Sequence, residues 1–140
     1  MIIFKFFLSI HVFLYRLTGG RLGGRMSWMN NMALLLLTTT GRKTGKKRTT
    51  PLGYFEDDGA YVIIASAGGS DKHPAWYYNL KSNPQVAIQV GNRRMTAVAE
   101  TADPETRQRL WAKLLVIAPG YGNYEKQTTR EIPVVILKPE

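Results

Sequence analysis

The chain has 140 residues, 44% of them apolar, and a formal net charge of +9. This length allows one domain with a single core. The absence of cysteine from the sequence excludes disulfides, thiolate catalysis and iron–sulfur clusters. The histidines are His11 and His73, too few for a histidine metal site or a Ser-His-Asp triad, so no metal is predicted. We therefore expect any chemistry to come from a bound cofactor.

The positive charge is concentrated in the first third of the chain. Residues 1–48 contain nine Lys or Arg and no Asp or Glu, whereas residues 49–140 contain ten of each sign. Such segregation favours a localised anionic partner, for example a phosphate, a carboxylate, nucleic acid or acidic lipid. Charge alone leaves open a solvated basic surface without a ligand.

Residues 1–25 are predicted to form an apolar helix and a Gly/Arg linker ahead of a domain over residues 26–140. Lys5, His11 and Arg16 interrupt the apolar stretch, which makes it a poor transmembrane span. An amphipathic helix of this kind either lies in a membrane interface or packs on its own domain or a partner subunit.

From residue 33 onward, alternating apolar runs and turn residues predict mainly strands. The expected strands are Leu34–Thr40, Arg48–Phe55, Ala60–Ser66, Val86–Val90, Arg93–Thr101 and Ile132–Leu137. Helices are expected from Pro74 to about Leu80, and from an Asp103 cap to a stop at Pro119-Gly120. Strands joined mainly by hairpins, with helices inserted late, indicate an antiparallel barrel with helical additions.

A basic loop over Gly41–Pro51 is the first candidate site. It carries Arg42, Lys43, Lys46, Lys47 and Arg48. A shortened Walker-like pattern fails because Lys47 replaces the magnesium-binding hydroxyl and a strand follows instead of a helix. A hairpin whose amides and cations reach one anion fits better.

A second candidate is Ser66–Leu80, where a strand ends in two glycines and leads into a helix. The glycines permit close approach to a flat ligand, while core packing is the alternative explanation for its aromatic residues. We expect His73 to be a loop residue with a local hydrogen bond.

A third candidate is the Tyr121/Tyr124 pair. These tyrosines either line a ligand pocket or anchor a glycine-rich connection.

These motifs together resemble a known family. GRKTGKKRTTPLGYF, then VIIASAGGSDKHPAWYYNLKSNPQVAIQV, then PGYGNY before IPVVIL are similar to the deazaflavin (F420)-dependent nitroreductase and quinone reductase family. The resemblance runs from about Leu34 to Pro139. It implies a split β-barrel that binds coenzyme F420 and passes a hydride to a quinone or a nitroaromatic compound.

The resemblance also implies roles for particular residues. The basic loop would hold the phosphate and oligoglutamate tail of F420, and the strand-end glycines would line the path of its ring. The implied cofactor-binding residues are Arg42, Lys43, Lys46, Arg48, Thr50, Pro51, Ser66, Ala67, Gly68, Gly69 and Trp76. Ser66, Tyr121 and Tyr124 are the candidate catalytic donors, because negative charge develops on a quinone oxygen as hydride arrives.

The chain departs from the family at two positions. Ala67 stands where some members carry Lys, and Ala118 stands where some carry another Tyr, which favours quinones over nitroaromatic prodrugs. The expected location is cytoplasmic, with peripheral contact through residues 1–25 at the inner face of the cell membrane, and no nucleic-acid partner is expected. The alternatives are an FMN-type split barrel and a non-enzymatic basic module for acidic lipid or nucleic acid.

Overall fold

The computed structural model of the protein describes residues 12, 15, 16 and 32–140. Within this part of the chain, six strands close an antiparallel barrel in the order β1-β2-β3-β6-β5-β4. The strands are β1 (Leu34–Thr40), β2 (Lys47–Asp57), β3 (Ala60–Ile64), β4 (Gln85–Val90), β5 (Arg93–Thr101) and β6 (Val134–Pro139). The helices are α1 (Ala75–Ser82), α2 (Pro104–Ile117) and α3 (Tyr121–Gln127). The predicted antiparallel barrel with helical additions is confirmed.

Strand β1 is buried on both faces, which explains its continuous leucine run. Successive side chains of a strand point to opposite faces, so Leu35 and Leu37 fill the barrel interior. Leu34 and Leu36 point outward and pack against Tyr15. A strand covered on both sides needs no polar alternation.

Two helices complete the packing on opposite sides of the sheet. Helix α1 contributes Trp76, Tyr77 and Leu80 to the inner core. Helix α2 packs Leu110 and Leu114 on the outside of β3 and β6. The barrel wall is therefore sandwiched between an inner and an outer apolar layer.

The N-terminal segment contacts the barrel through Tyr15. Its hydroxyl donates to the Leu34 carbonyl at 2.8 Å and accepts from the Gly91 N–H at 2.9 Å. The ring is 1% exposed, so at this residue the segment packs on its own domain. The rest of the predicted helix and linker over residues 1–25 lies outside the described residues, apart from Val12 and Arg16. No helix in the described ranges is long and apolar enough to cross a bilayer.

The turn after β2 and the predicted Asp103 cap both form where the backbone demands particular residues. Asp58 and Gly59 both have positive φ, 51° and 78°, in the two-residue turn between β2 and β3, as a hairpin of this kind requires. The Asp103 carboxylate accepts from the Thr106 N–H at 2.8 Å and caps α2.

Several element boundaries differ from the prediction. Strand β3 ends at Ile64 instead of Ser66, because Ser66 already has helical φ and ψ. A short 3-10 turn over Ala67–Gly69 follows. Strand β6 begins at Val134 instead of Ile132, and α1 begins at Ala75, with Pro74 as its N-cap.

Candidate functional site

The two halves of strand β2 pair with different neighbouring strands. Residues Lys47–Gly53 pair with β1, whereas β3 pairs with Tyr54–Asp57. Beyond Ile64 the chain turns to the β6 side, where the Ala65 N–H donates to the Pro133 carbonyl at 3.0 Å. Among the described strands, none pairs with the outer edge of Lys47–Leu52, which we call the open edge.

Pro51 lies on this open edge with its backbone turned away from β1. The Tyr54 N–H donates to the Ala33 carbonyl at 3.0 Å, and backbone direction alternates along an antiparallel strand. The backbone groups of Thr49 and Pro51 therefore face the open edge. A proline is tolerated at such a position because no ladder hydrogen bond is lost.

A large cavity lies at the start of the open edge. It has a volume of about 720 Å³ and is bounded by the hairpin after β1, the first residues of β2 and the N-terminal turn of α1. Its lining includes five of the residues predicted to bind a cofactor, namely Arg42, Lys43, Arg48, Thr50 and Trp76. Lys46 and Pro51 do not line it; Lys46 is exposed, and Pro51 is buried.

The cations around this cavity are free of acidic partners. The ion pairs of the described residues involve Asp57, Glu100 and Glu131, and none of them includes a residue of the 41–50 segment. Arg48 is exposed and makes no hydrogen bond to another described side chain. Unpaired cations that converge on a concave surface are what binding of a polyanion requires.

The basic loop is held against α1 by polar contacts. The Arg42 N–H donates to the Asn79 side-chain oxygen at 3.1 Å, and the Asn79 amide donates to Thr39 Oγ1 at 3.2 Å. The Arg42 guanidinium also lies 4.8 Å from the centre of the Tyr78 ring. These contacts place the cationic hairpin beside the helix that follows the glycine segment.

The segment Ser66–Ser70 has an unusual backbone. Ala67, Gly68 and Gly69 have φ values of 48°, 64° and 83°. The left-handed region is easy for glycine but costs free energy for alanine, and such strain concentrates at functional sites. A Cβ on Gly69 would lie 2.5 Å from the Gln127 side chain, so glycine also lets α3 approach closely.

Arg130, which is not among the residues predicted from the sequence, holds this segment in place. Its guanidinium donates to the Ser66 carbonyl at 2.8 Å and to the Ser70 carbonyl at 2.8 Å, and it contacts His73 Nδ1 at 2.9 Å. Backbone carbonyls carry no side-chain signature, so residue types and spacing gave no signal for this contact.

His73 is a loop residue, as predicted, but its hydrogen bond is to Arg130, 57 residues away, instead of to a local group. Burial, reinforced by the positive charges of Arg130 and Lys81, lowers the pKa of His73. The neutral ring can therefore accept from Arg130 through Nδ1. Its ring packs 4.9 Å from that of Tyr77, which ties the segment to α1.

Tyr121 and Tyr124 lie side by side on α3, with ring centres 5.3 Å apart in an edge-on arrangement. Tyr121 is buried, and its hydroxyl lies 3.6 Å from where a Cβ on Gly53 would stand. Burial, with a smaller contribution from Tyr124, raises the pKa of Tyr121 to about 12. Its phenol is therefore a hydrogen-bond donor that stays protonated at neutral pH.

The structure thus links the three candidate segments through α1, α3 and β2. The basic end of β2 lines the cavity, and Gly53 farther along the strand lies beside Tyr121. Helix α3 packs on the Ala67–Gly69 turn through Gln127. At about 3.4 Å per residue, the distance from Lys47 to Gly53 is about 20 Å. We call this elongated region, from the cavity to the tyrosines, the β2 groove.

Comparisons with known proteins identify the family and the fold. Residues 7–139 match the family model described as F420H(2)-dependent quinone reductase. An F420H(2)-dependent quinone reductase from Mycobacterium tuberculosis is 44% identical over 133 residues, which is 93% of this chain and 88% of the relative. A solved structure described as an F420-H2 dependent reductase is 42% identical, has a TM-score of 0.69, and is matched over 75% of this chain and 93% of its own. A heme binding protein from Mycobacterium smegmatis is 17% identical with a TM-score of 0.61, covering 88% of this chain and 50% of that one, and shows the fold alone.

Proposed function

This chain belongs to the F420H2-dependent quinone reductase family, and we propose that the β2 groove is where it binds coenzyme F420. The chain is an oxidoreductase with F420 as its cofactor, and hydride transfer from F420H2 to a quinone is its reaction. The observation that supports the site is the 720 Å³ cavity lined by cations without acidic partners in the described ranges.

The residues of the cavity fit the polyanionic part of this cofactor. Its volume falls within the range of about 300–1,000 Å³ that is usual for cofactor pockets. Arg48 offers a planar fork for a phosphate or carboxylate, and Lys43 offers a mobile point charge. Arg42, held by Asn79 and Tyr78, supplies a third cation with a more fixed position. Exposed Lys46 adds to the positive potential around the cavity.

The other end of the β2 groove, beside the Ala67–Gly69 turn, fits the deazaflavin ring of F420. When bound, reduced F420 supplies the hydride. The Ala67–Gly69 turn carries little side-chain bulk because two of its three residues are glycine, so a flat group can approach it. Arg130 keeps this backbone rigid, which favours the short, fixed distance that hydride transfer requires.

Tyr121, Tyr124 and Ser66 are the proposed hydrogen-bond donors to the quinone that accepts the hydride. A protonated phenol in a buried setting stabilises negative charge that develops on a quinone oxygen. Because its pKa is about 12, Tyr121 remains such a donor across the physiological range. Tyr124, half-buried against the Tyr121 ring, is the second candidate, and the nearly buried Ser66 hydroxyl is the third.

We propose quinones rather than nitroaromatic compounds as the preferred acceptors. Ala118, at the end of α2, is completely buried and presents no polar group to a ligand. This leaves Tyr121 and Tyr124 as the phenols of the segment. Steady-state rates with a menaquinone analogue and with a nitroimidazole, measured at equal F420H2, should favour the quinone at least tenfold. Equal rates would contradict this preference.

Residues 1–25 also support a proposed peripheral contact with the inner face of the cell membrane. Their sequence combines a long apolar stretch with Arg16, Arg21 and Arg25, a composition that suits an acidic bilayer surface. Sedimentation with vesicles checks this: the protein should pellet with phosphatidylglycerol vesicles and stay in the supernatant with phosphatidylcholine alone. Equal sedimentation with the two kinds of vesicle would contradict the proposed membrane contact.

Fluorescence titration of F420 tests the site. Arg48→Ala should weaken F420 binding at least tenfold, because a hydrogen bond to a charged group contributes about 1.5–3 kcal/mol and about 1.4 kcal/mol equals a factor of ten. Arg93→Ala is the matched control, since Arg93 is an exposed strand arginine that does not line the cavity. If both variants bind F420 as tightly as the parent protein, Arg48 does not hold the cofactor.

A further inference from the structure

A second basic surface lies on the outside of the barrel. The register pairs Thr49 with Thr38, Thr38 with Ala87, and Gln89 with Arg94. Thr38 shares the outward face of β1 with Leu36, so the partners Thr49 and Ala87 point outward as well. By the same alternation, Arg94 belongs to this face.

A hollow lies on this outer face beside the N-terminal segment. Its volume is about 240 Å³, and Arg16 and Arg94 both line it, with Thr38, Gln89, Leu36 and Met95 among its other residues. None of the described residues that line it is acidic. Two cations that share a small concave surface repel each other, and a bound anion relieves this repulsion.

Arg16 connects the hollow to the β2 groove. Its guanidinium donates to Thr49 Oγ1 at 3.2 Å, and Thr49 Oγ1 lies 2.8 Å from Thr38 Oγ1. Thr49 also lines the 720 Å³ cavity. The two concave surfaces therefore meet at the Thr38/Thr49 pair.

We infer that Arg16 and Arg94 form a second anion site, which binds carboxylates of the F420 tail beyond those held by Arg48 and Lys43. This inference rests on the proposed function. From β2 across β1 and β4 to β5 are three strand spacings of about 4.8 Å, or about 14 Å. An extended peptide advances about 3.5 Å per residue, and a glutamate linked through its side-chain carboxyl advances farther, so at most about four further glutamates span this distance.

The strength expected of this site is modest. Both arginines are exposed, and exposed ion pairs are screened by water and salt. The loss of either cation should weaken binding of a long tail about threefold to fivefold. A tail too short to reach the hollow should bind equally well with or without them.

The experiment titrates the full-length protein with two F420 preparations, one with one or two glutamates and one with six or more. Arg16→Gln and Arg94→Gln should each weaken binding of the long form threefold to fivefold and leave the short form unchanged. Arg93→Gln is the matched control, because it removes the same charge from the adjacent residue, whose side chain points to the opposite face of β5. It should leave the ratio of the two affinities unchanged.

The outcomes separate the inference from the proposed function. Equal losses for long and short forms, or a change in the ratio with Arg93→Gln, would mean a general charge effect and overturn the second site. A parallel arm uses phosphatidylglycerol vesicles. If Arg94→Gln weakens vesicle binding while the ratio stays fixed, the hollow binds lipid phosphate and the inference is wrong. Failure of both F420 forms to bind the parent protein would instead reject the β2 groove, and the inference with it.

Discussion

Arg48, at the cavity, and Arg130, at the Ser66–Ser70 segment, use the same side chain in opposite ways. The Arg48 guanidinium is exposed and has no acidic or hydrogen-bonding partner among the described side chains. The Arg130 guanidinium contacts two backbone carbonyls and His73. The first remains available to a ligand, whereas the second is committed to its own chain.

This contrast shows that partners, more than residue type, separate binding residues from positioning residues. Loss of Arg48 should reduce affinity and leave stability nearly unchanged. Loss of Arg130 should act on stability first, and on the ligand through the backbone that it holds.

Arg130→Ala should lower the free energy of unfolding by about 2–3 kcal/mol, because two hydrogen bonds from a charged donor are lost and the Ser66 carbonyl is left in a buried setting. Urea unfolding measures this change. F420 affinity should fall as well, since the Ala67–Gly69 backbone loses its support.

Arg130→Lys is the control for charge alone, because an ammonium group cannot contact all three acceptors with the geometry of a guanidinium. Compared with Arg130→Ala, Arg130→Lys should recover part of the lost free energy of unfolding and little of the lost affinity for F420. If Arg130→Ala unfolds at the same urea concentration as the parent protein, Arg130 does not position this segment.

Tyr121→Phe should lower kcat about 10–100-fold, because one donor to a developing oxyanion is removed from a preorganised site. The KM for F420H2 should change less than twofold. The fold should be retained, since the ring still packs against Tyr124 and the outer core. An unchanged kcat with a quinone would exclude Tyr121 as the donor.

The pH dependence of Tyr121 gives an independent check. Its folded pKa is about 12, above the ordinary value of 10.0, so the unfolded chain loses this proton first. Stability is fully present below pH 10 and is lost as pH rises from 10 towards 12, by at most about 1.36 kcal/mol per unit. Parallel unfolding curves should show a shallower loss for Tyr121→Phe in this interval, and identical slopes would contradict the shifted pKa.

Asp57→Asn should have the smallest effect, a loss of about 0.5–1 kcal/mol at pH 7, because the ion pairs of Asp57 with Arg109 and Lys113 are partly exposed. The Arg109 hydrogen bond lowers the pKa of Asp57 to about 2, against an ordinary 3.8. Its contribution is present above pH 3.8 and is lost as pH falls towards 2.

Asp58→Asn is the matched control for Asp57→Asn, since asparagine tolerates the positive φ of this exposed turn position. It should change stability less than Asp57→Asn, and neither variant should alter F420 affinity. A loss of affinity in Asp57→Asn would show that the far end of β2 influences the groove.

The parts of the fold that depend on local chemistry could be predicted from the sequence. The Asp58-Gly59 turn requires residues that accept positive φ, and Asp103 is a standard helix cap. These signals placed the strands and α2 within a few residues. The cationic hairpin was equally visible, because exposed charges need no tertiary partner to be recognised.

The parts that depend on distant contacts could not be predicted. Arg130 reaches carbonyls 60 and 64 residues away in sequence, and nothing in the local pattern identifies such acceptors. Strand β3 ends two residues early because Ser66 has a helical backbone and Ala67 a left-handed one that its residue type disfavours. The split pairing of β2, which creates the open edge, follows from where β3 turns towards β6.

Pro51 has a further consequence for the molecule outside its catalytic cycle. An exposed strand edge is a template on which strands of other chains can add by backbone hydrogen bonding. Pro51 offers no N–H near the end of the open edge, so a continuous ladder cannot form along its whole length. The open edge is thereby protected against edge-to-edge aggregation.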